Sequence, residues 1–283
     1  METQTIDEQR RELLEIAESI APTWEKRRAE IEEVAAPVRE WMLRELDPQE
    51  GDTVLELAAG VGDSGFEAAA IIGRSGRLIS SDFSPAMLEA ARRRGAELGL
   101  ENVDYRVLDA ERIQLADDSV DGVLCRFGYM LMPDPEAAVA ETHRVLRPGG
   151  RLTLAVWGAL ERNPLFAITG ISLAQRGHIP PPPPPPAPGP FSMASAERVD
   201  DLLRGAGFTE VRIAEVNGSF TFADADEYLG LIADTAGPIA LALQGLADDD
   251  RAAVRSEVED SLGRFAADGG YELPCVALCA LAS

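Results

Sequence analysis

Three carboxylates at the ends of three predicted strands have a spacing that could do chemistry. Glu56 lies in the apolar stretch before a glycine turn that contains Gly60 and Gly62, and Asp82 and Asp109 end the next two predicted strands. Such carboxylates can accept hydrogen bonds from ribose hydroxyls and amino groups, and a glycine turn before a helix lets a ligand approach the backbone closely. The pattern predicts a nucleoside-containing ligand at this edge of a sheet.

The residues around the glycine turn bear on which nucleoside is bound. Gly60 to Gly65 fits the G-x-G-x-x-G fingerprint of dinucleotide-binding proteins, although similar turns also occur in α/β units that bind nothing. Glu56 stands four residues before Gly60, where a NAD site usually keeps its strand apolar. A carboxylate there can accept from the ammonium of S-adenosylmethionine (SAM), whereas Asp82 suits the ribose of either cofactor. The sequence therefore favours SAM, with Gly65 incidental to the ligand, and a NAD dehydrogenase stays a weaker alternative.

A β-α alternation positions these residues. Ser84 with Pro85, and Asp134 with Pro135, are typical helix starts between the predicted strands. Such an alternation predicts a parallel sheet with helices on both faces and a ligand crevice at the carboxyl ends of its strands. A last strand follows a helical insertion and a turn, so we expect it to be antiparallel. The predicted strands cover residues 53–58, 77–81, 103–108, 121–127, 151–157, 208–222 and 271–281.

The segments outside the alternation are predicted to be cap elements. Residues 6–46 are expected to form three helices, because Pro22 and Pro37 interrupt their amphipathic pattern. Pro180 to Pro186 are seven consecutive prolines, which favour a stiff surface spacer or lid over a docking motif for an SH3-type partner. The predicted parts are a helical cap (1–46), a SAM-binding α/β core (47–158), a Pro-rich lid or spacer (159–194) and a C-terminal part of the core (195–283) with a helical insertion (225–267).

Four segments, in this order and spacing, resemble class I SAM-dependent methyltransferases, most of all the ubiquinone/menaquinone-biosynthesis type. They are ELAAGVG, SSDFSPAML, LDAERIQLADDSVDGVLCRFG and HRVLRPGGRLTLAVW. The resemblance covers about residues 50–160 and extends weakly to the last strand. It implies a doubly wound, Rossmann-like α/β fold, with a mostly parallel seven-stranded sheet in the order 3-2-1-4-5-7-6. It also implies that SAM donates a methyl group to an O, C or N atom of a small-molecule acceptor and leaves S-adenosylhomocysteine.

The same resemblance implies a role for each matching position. It places four residues at the methionine part of SAM, one at the ribose, four at the adenine and two beside the sulfonium: Glu56, Ala58, Gly60 and Gly62; Asp82; Phe83, Met87, Asp109 and Ala110; Arg126 and Phe127. Ala58 stands where the family usually has glycine, and we expect this alanine to take a negative φ.

Candidates for catalysis lie near the predicted strand ends. Methyl transfer is an in-line displacement that needs alignment, and a hydroxyl or carbon nucleophile also gains from a general base. Tyr129, just past the fourth strand, and His178, in the predicted lid, are the candidate bases, whereas His143 is predicted to be structural. Trp24, Tyr129 and Trp157 are predicted to line an aromatic substrate pocket. A SAM-binding cyclase or isomerase, and a non-catalytic binding protein that uses the proline run, remain alternatives.

The composition limits the kinds of partner. The 49 acidic and 26 basic residues give a net charge of −23, which repels nucleic acids and anionic membranes. Three cysteines without a C-x-x-C pair and only two histidines predict no metal site. No apolar run approaches the roughly 20 residues that span a bilayer, and the first residues lack the apolar core of a signal peptide. We therefore expect a cytoplasmic protein without a nucleic-acid or membrane partner; its oligomeric state, monomer or homodimer, stays open.

Overall fold

The computed structural model describes residues 5–180 and 187–283, and its centre is one twisted sheet. The strands are β1 (Thr53–Leu57), β2 (Arg77–Asp82), β3 (Val103–Val107), β4 (Val120–Arg126), β5 (Leu146–Trp157), β6 (Val211–Phe222), β7 (Ala266–Ala267) and β8 (Gly270–Ala282). Their order is β3-β2-β1-β4-β5-β8-β6, and the short β7 pairs with β8. The first five strands are parallel, and β8 runs antiparallel to β5 and β6. The predicted order of seven strands is confirmed, and β7 is an additional two-residue strand.

The helices are α1 (Ile6–Leu46), α2 (Asp63–Ile72), α3 (Pro85–Glu97), α4 (Pro135–Val145), α5 (Pro164–Gln175), α6 (Ala196–Gly205), α7 (Ala225–Thr235), α8 (Pro238–Gln244) and α9 (Asp248–Leu262). The predicted helix starts are present. Ser84 Oγ accepts a hydrogen bond from the backbone of Met87 at 3.2 Å, and Asp134 Oδ1 accepts from Ala137 at 2.9 Å. In the described part of the chain, no helix is both long and apolar enough to cross a membrane.

The N-terminal segment is one continuous helix, so the prediction of three helices was wrong. α1 has 41 residues with Pro22 and Pro37 inside it, which makes it about 60 Å long at roughly 1.5 Å per residue. Each proline removes one helical hydrogen bond, but packing compensates, since Val38, Trp41 and Met42 are buried against the sheet. Tertiary contacts therefore override the local signal of the two prolines.

Two apolar layers cover the sheet. On one face, α2 and the C-terminal part of α1 pack on β1, β2 and β4, with Met42, Phe66 and Leu124 among the buried residues. On the other face, α4 packs on β5 and α6 packs on β6 and β8, with Val139 and Leu202 in the core. The loops at the carboxyl ends of β1, β2 and β4 are left at one edge between these layers.

A separate apolar cluster joins α5, α7, α8 and α9, which we call the helical unit. It surrounds buried Leu173, Tyr228 and Val258 and includes the ends of β6 and β8. Residues 164–175 were predicted to be part of a lid or spacer, and they form the buried helix α5 of this unit. The division of the chain into four parts remains a prediction, and residues 181–186 of the proline run lie outside the described residues.

Two buried polar side chains of the helical unit, those of Asn163 and Tyr228, are fully hydrogen-bonded. Asn163 Nδ2 donates to three carbonyls, those of Gly158, Ala159 and Val276 at 3.0–3.2 Å, and its Oδ1 accepts from the N–H of Val276 at 2.9 Å. The Tyr228 hydroxyl donates to the Leu165 carbonyl at 2.7 Å and accepts from a threonine hydroxyl at 2.9 Å. Burial raises the pKa of Tyr228 to about 12, so the hydroxyl stays protonated. These bonds fasten α5 to β8 and α7.

Candidate functional site

The glycine turn after β1 has the backbone that a close ligand approach requires. Gly60 and Gly62 have φ values of 54° and 94°, and Ala58 has 51°. The expectation of a negative φ at Ala58 was therefore wrong. Gly128 leaves space for this strained alanine, since a Cβ on Gly128 would lie 2.6 Å from the Ala58 methyl group. A non-glycine residue in the left-handed region costs about 1 kcal/mol, so the turn stores strain.

Glu56 is buried beneath the start of α2, and Gly65 makes room for it. The N–H of Gly65 donates to Glu56 Oε1 at 2.7 Å, and a Cβ on Gly65 would collide with the same carboxylate. Gly65 therefore holds the Glu56 carboxylate in place, a role that the sequence-based interpretation did not include. Burial raises the pKa of Glu56 to about 8, although the Gly65 N–H and the charge of Arg126 oppose this shift. At this pKa the Glu56 carboxyl is largely neutral at pH 7 in the ligand-free protein.

Three more polar side chains, at the start of α2 and the end of β4, each have a buried atom without a hydrogen bond within the described residues. These atoms are Asp63 Oδ2, Ser64 Oγ and Arg126 Nη1. The charges of Asp63 and Arg126 both act on the Glu56 carboxyl, and Ser64 follows Asp63 in the chain; we call these four residues the strand-end cluster. Buried polar atoms in folded proteins are nearly always paired, so unpaired ones in a group indicate a place for a polar ligand. The cluster offers acceptors for an ammonium and a donor for a carboxylate.

Sequence reasoning had missed Asp63 and Ser64. The signal that could have found them is their position directly after Gly62, in the first turn of a helix that follows a glycine turn. Burial raises the pKa of Asp63, and the nearby carboxylate of Glu32 adds to this shift.

Asp82 at the end of β2 joins two backbone segments of the site. Its Oδ2 accepts from Gly60 N and its Oδ1 from Ser84 N, both at 2.9 Å. Burial raises the pKa of Asp82 to about 6, although these N–H donors oppose the shift. Each carboxylate oxygen can accept a further hydrogen bond, so ribose hydroxyls can still be held here.

The predicted adenine residues lie beside the ends of β2 and β3. Phe83 is 37% exposed, whereas Met87 and Ala110 are buried. Asp109 Oδ1 accepts from the backbone of Glu111 at 2.9 Å, and its Oδ2 faces Arg10 Nε at 3.7 Å. The structure thus brings the predicted adenine and ribose positions to the same edge of the sheet.

The N-terminal helix α1 runs along this edge and contacts several of the strand-end segments. Arg10 pairs with Glu111 and lies 3.7 Å from Asp109, and Glu18 Oε1 accepts from the Ser84 hydroxyl at 2.6 Å. Trp24 packs with Met87 in a small apolar cluster near the start of α3. Trp24 thus lies beside the predicted adenine residue Met87, in a different apolar cluster from Trp157.

The end of β4 is a second strained position, and it carries an aromatic stack. Phe127 has a φ of 60°, which is unusual for a bulky residue. Its ring stacks on Trp157, with a centroid distance of 4.1 Å and an angle of 15° between the ring planes. Trp157 in turn packs against Phe166 of α5 at 5.3 Å. The partly exposed aromatic rings form a wall beside Arg126.

The predicted general bases lie elsewhere. The Tyr129 side chain is fully buried in the core, its hydroxyl is 2.6 Å from Thr142 Oγ1, and burial raises its pKa well above the ordinary value. This placement contradicts its predicted roles as a base and as a pocket residue. His178 follows α5, and its Nε2 lies 3.6 Å from Asp250 of α9, so it belongs to the helical unit. His143 packs edge-on against Phe208, in agreement with the structural role predicted for it.

Comparison with known proteins gives one matching family and many relatives. Residues 54–150 match the family described as "Methyltransferase domain". An arsenite methyltransferase of Halobacterium salinarum is 33% identical over 190 residues, which are 64% of this chain and 44% of that protein. A ubiquinone/menaquinone biosynthesis C-methyltransferase of Klebsiella pneumoniae is 37% identical over 103 residues, which are 36% of this chain and 41% of that protein. The match thus spans less than half the length of these two relatives.

A solved structure agrees with the fold over more of the chain. The crystal structure of a putative methyltransferase from Bacillus halodurans covers 86% of this chain and 97% of its own, with a TM-score of 0.59 and 18% identity. At that identity the likeness concerns the fold alone.

Proposed function

We propose that this chain, whose residues 54–150 form a class I methyltransferase domain, uses SAM to methylate an oxygen, carbon or nitrogen atom of a small molecule. The observation that carries the proposal is the strand-end cluster together with Asp82 and Asp109. The cluster suits the amino-acid part of SAM, Asp82 the ribose and Asp109 the adenine amino group. All three groups lie at the carboxyl edge of β1–β4, where ligands bind in doubly wound sheets.

The chemistry divides between the cofactor and the chain. SAM, when bound, supplies a methyl group on a positively charged sulfur. Glu56 accepts a hydrogen bond from the ammonium, and the positive charge there favours the ionised carboxyl, so this residue loses its proton as the ligand binds. Phe127 and Trp157 exclude water beside Arg126 and give the acceptor an apolar wall. The main contribution of the protein is alignment, since a well-oriented displacement needs little other assistance.

The proposal is tested by identifying and measuring the bound ligand. Mass spectrometry of the purified protein should detect SAM or S-adenosylhomocysteine, and calorimetry should measure binding of S-adenosylhomocysteine. Asp82→Ala and Asp109→Ala should each weaken this binding about 10-fold or more, because each removes a charged hydrogen-bond acceptor. Failure of the wild type to bind, or unchanged binding by both variants, would contradict the proposal.

Turnover separates methyl transfer from the alternatives. A methyltransferase forms one S-adenosylhomocysteine for each acceptor consumed, whereas a cyclase or isomerase converts its substrate and leaves SAM intact. A binding protein that used the proline run would lose its partner, but keep SAM binding, after deletion of residues 180–186. The similar proteins favour neither alternative.

A further inference from the structure

Two charged residues of α1 pair with the two residues of the strand-end cluster whose charges act on the Glu56 carboxyl. Arg28 Nη1 pairs with Asp63 Oδ1 at 2.7 Å, and Glu32 Oε1 contacts Arg126 Nη2. The atoms left over, Asp63 Oδ2 and Arg126 Nη1, are the ones that make no hydrogen bond within the described residues. Each α1 residue thus fixes one end of its partner and leaves the other end available.

The arrangement is not the usual one for a helix surface. Arg28 and Glu32 are one turn apart, and oppositely charged residues at this spacing commonly pair with each other. Here each side chain turns to a different partner in the fold. Glu32 is further fixed by Arg39 at 2.6 Å, and Arg39 in turn reaches Glu67 at 2.7 Å. Glu32 and Asp63 are each 12% exposed, and burying charges at this level costs free energy unless they are well paired.

We propose that Arg28 and Glu32 are positioning residues that orient Asp63 and Arg126 as a clamp for the zwitterionic amino-acid end of the cofactor. Asp63 Oδ2 accepts from the ammonium, and Arg126 Nη1 donates to the carboxylate. This inference rests on the proposed function, and it makes α1 part of the cofactor site. It predicts that the helix selects ligands by their amino-acid end.

Two ligands that differ only in this end test the inference. S-adenosylhomocysteine carries the amino-acid end, whereas 5′-methylthioadenosine keeps the adenine, ribose and thioether without it. The variants are Arg28→Gln and Glu32→Gln, with Arg27→Gln as the matched control. Arg27 is the adjacent residue on α1 and has its own 2.7 Å ion pair, but with Asp234 of α7. The control therefore removes a comparable ion pair of the same helix and leaves Asp63 and Arg126 with their partners.

We expect each clamp variant to weaken S-adenosylhomocysteine about 10-fold and to change methylthioadenosine less than twofold, as measured by calorimetry. Arg27→Gln should leave the ratio of the two dissociation constants unchanged. Equal weakening of both ligands, or no weakening, would overturn the inference, because a merely structural role of α1 affects both alike.

The wild type provides a check that does not depend on any variant folding. It should bind S-adenosylhomocysteine about 10-fold more tightly than methylthioadenosine, or tighter still. Equal affinity for the two would overturn the clamp and leave the proposed function standing. Binding of neither ligand would overturn the proposed function itself.

Discussion

At the ends of β1 and β4, buried polar atoms lack partners, whereas in the helical unit the side chains of Asn163 and Tyr228 are saturated with hydrogen bonds. Asn163 uses both ends of its amide and Tyr228 both donates and accepts, as expected of groups that only support structure. Asp63 and Arg126 each keep one buried atom free. Asn163 and Tyr228 are thus complete without a ligand, whereas Asp63 and Arg126 each retain an atom that a ligand could pair with.

The backbone shows the same contrast. Ala58 and Phe127, at the ends of β1 and β4, have positive φ values although neither is glycine. In the described residues of the helical unit, positive φ occurs only at glycines, such as Gly237. Strain of this kind persists where the surrounding structure holds it, and it is concentrated at functional sites. Substitutions in the two regions should therefore have opposite effects on stability and on binding.

The largest expected effect is on stability, from Asn163→Ala in the helical unit. This change leaves the carbonyls of Gly158, Ala159 and Val276 without their buried donor, so the free energy of unfolding should fall by about 3 kcal/mol. Chemical denaturation measures the loss, and calorimetry on the folded variant should find unchanged binding of S-adenosylhomocysteine. A loss of less than about 1 kcal/mol, or weakened binding, would remove the contrast between the regions.

Glu56→Gln should show the reverse pattern, with a gain in stability and a loss of binding. The folded protein holds Glu56 with a pKa of about 8, above the usual value of 4.5, so ionisation of the unfolded chain favours unfolding as the pH rises. Glutamine does not ionise, so the variant avoids this loss of stability. The loss is absent below pH 4.5, grows between pH 4.5 and 8 and is then constant. We expect a gain of about 3 kcal/mol at pH 7 in denaturant titrations, because pH 7 lies about 2.5 units above the pKa of the unfolded chain. A variant less stable than the wild type at pH 7 would contradict the role of burial.

The pH dependence of binding sharpens the assignment of Glu56. Because the free carboxyl must lose a proton to meet the ammonium, affinity for S-adenosylhomocysteine should rise up to about 10-fold between pH 6 and 7.5. At higher pH the ligand's own amino group loses its charge, and affinity should fall. In Glu56→Gln the rise should be smaller, although Asp82, with a pKa of about 6, still titrates near that range. An unchanged rise in the variant would assign the proton to another group.

Ala58→Gly should relieve strain at the glycine turn without affecting the ligand. Glycine adopts a φ of 51° without steric cost, so the free energy of unfolding should rise by up to about 1 kcal/mol, partly offset by the greater freedom of glycine in the unfolded chain. Thermal melting measures this, with Gly128→Ala as the opposite case, because a methyl group there would press on Ala58. A lower melting temperature for Ala58→Gly would show that the alanine is not strained.

The smallest expected effect is that of Tyr129→Phe. The change removes only the hydroxyl that meets Thr142, so stability should fall by about 1 kcal/mol or less, and the turnover rate should stay unchanged in a methyl-transfer assay. If turnover instead slowed by an order of magnitude or more, Tyr129 would be restored as a catalytic residue.

The order of the strands and the carboxylates at their ends could be predicted from the sequence because both depend on local patterns. Alternating strands and helices fix the sheet, and Glu56, Asp82 and Asp109 each stand where a strand ends. Other features depend on contacts between distant residues. Nothing local shows that Glu32 meets Arg126, 94 residues later, or that packing keeps α1 continuous through Pro22.

Some predictions were wrong although the residue was placed correctly along the chain, because the sequence does not show where its side chain points or how much space surrounds it. Tyr129 does follow β4, but its side chain points into the core toward α4. Ala58 tolerates a positive φ because Gly128, seventy residues away, leaves room for its methyl group. The role of Gly65 was missed because the sequence does not show that the Glu56 carboxylate lies against this glycine.

The length and position of α1 have a consequence for the order of folding. α1 is synthesised before the elements that it contacts, and its Arg27 and Thr23 bind Asp234, more than 200 residues later. These contacts of α1 therefore form only after most of the chain has left the ribosome, and contacts between such distant residues form slowly. The C-terminal part of α1 meets most of its apolar partners earlier, since Trp41 and Met42 pack with Phe66 and Leu124. A shortened chain that ends before α7 would keep these contacts and the pairing of Arg28 with Asp63, but it would lose the hydrogen bonds that hold the middle of α1 to Asp234.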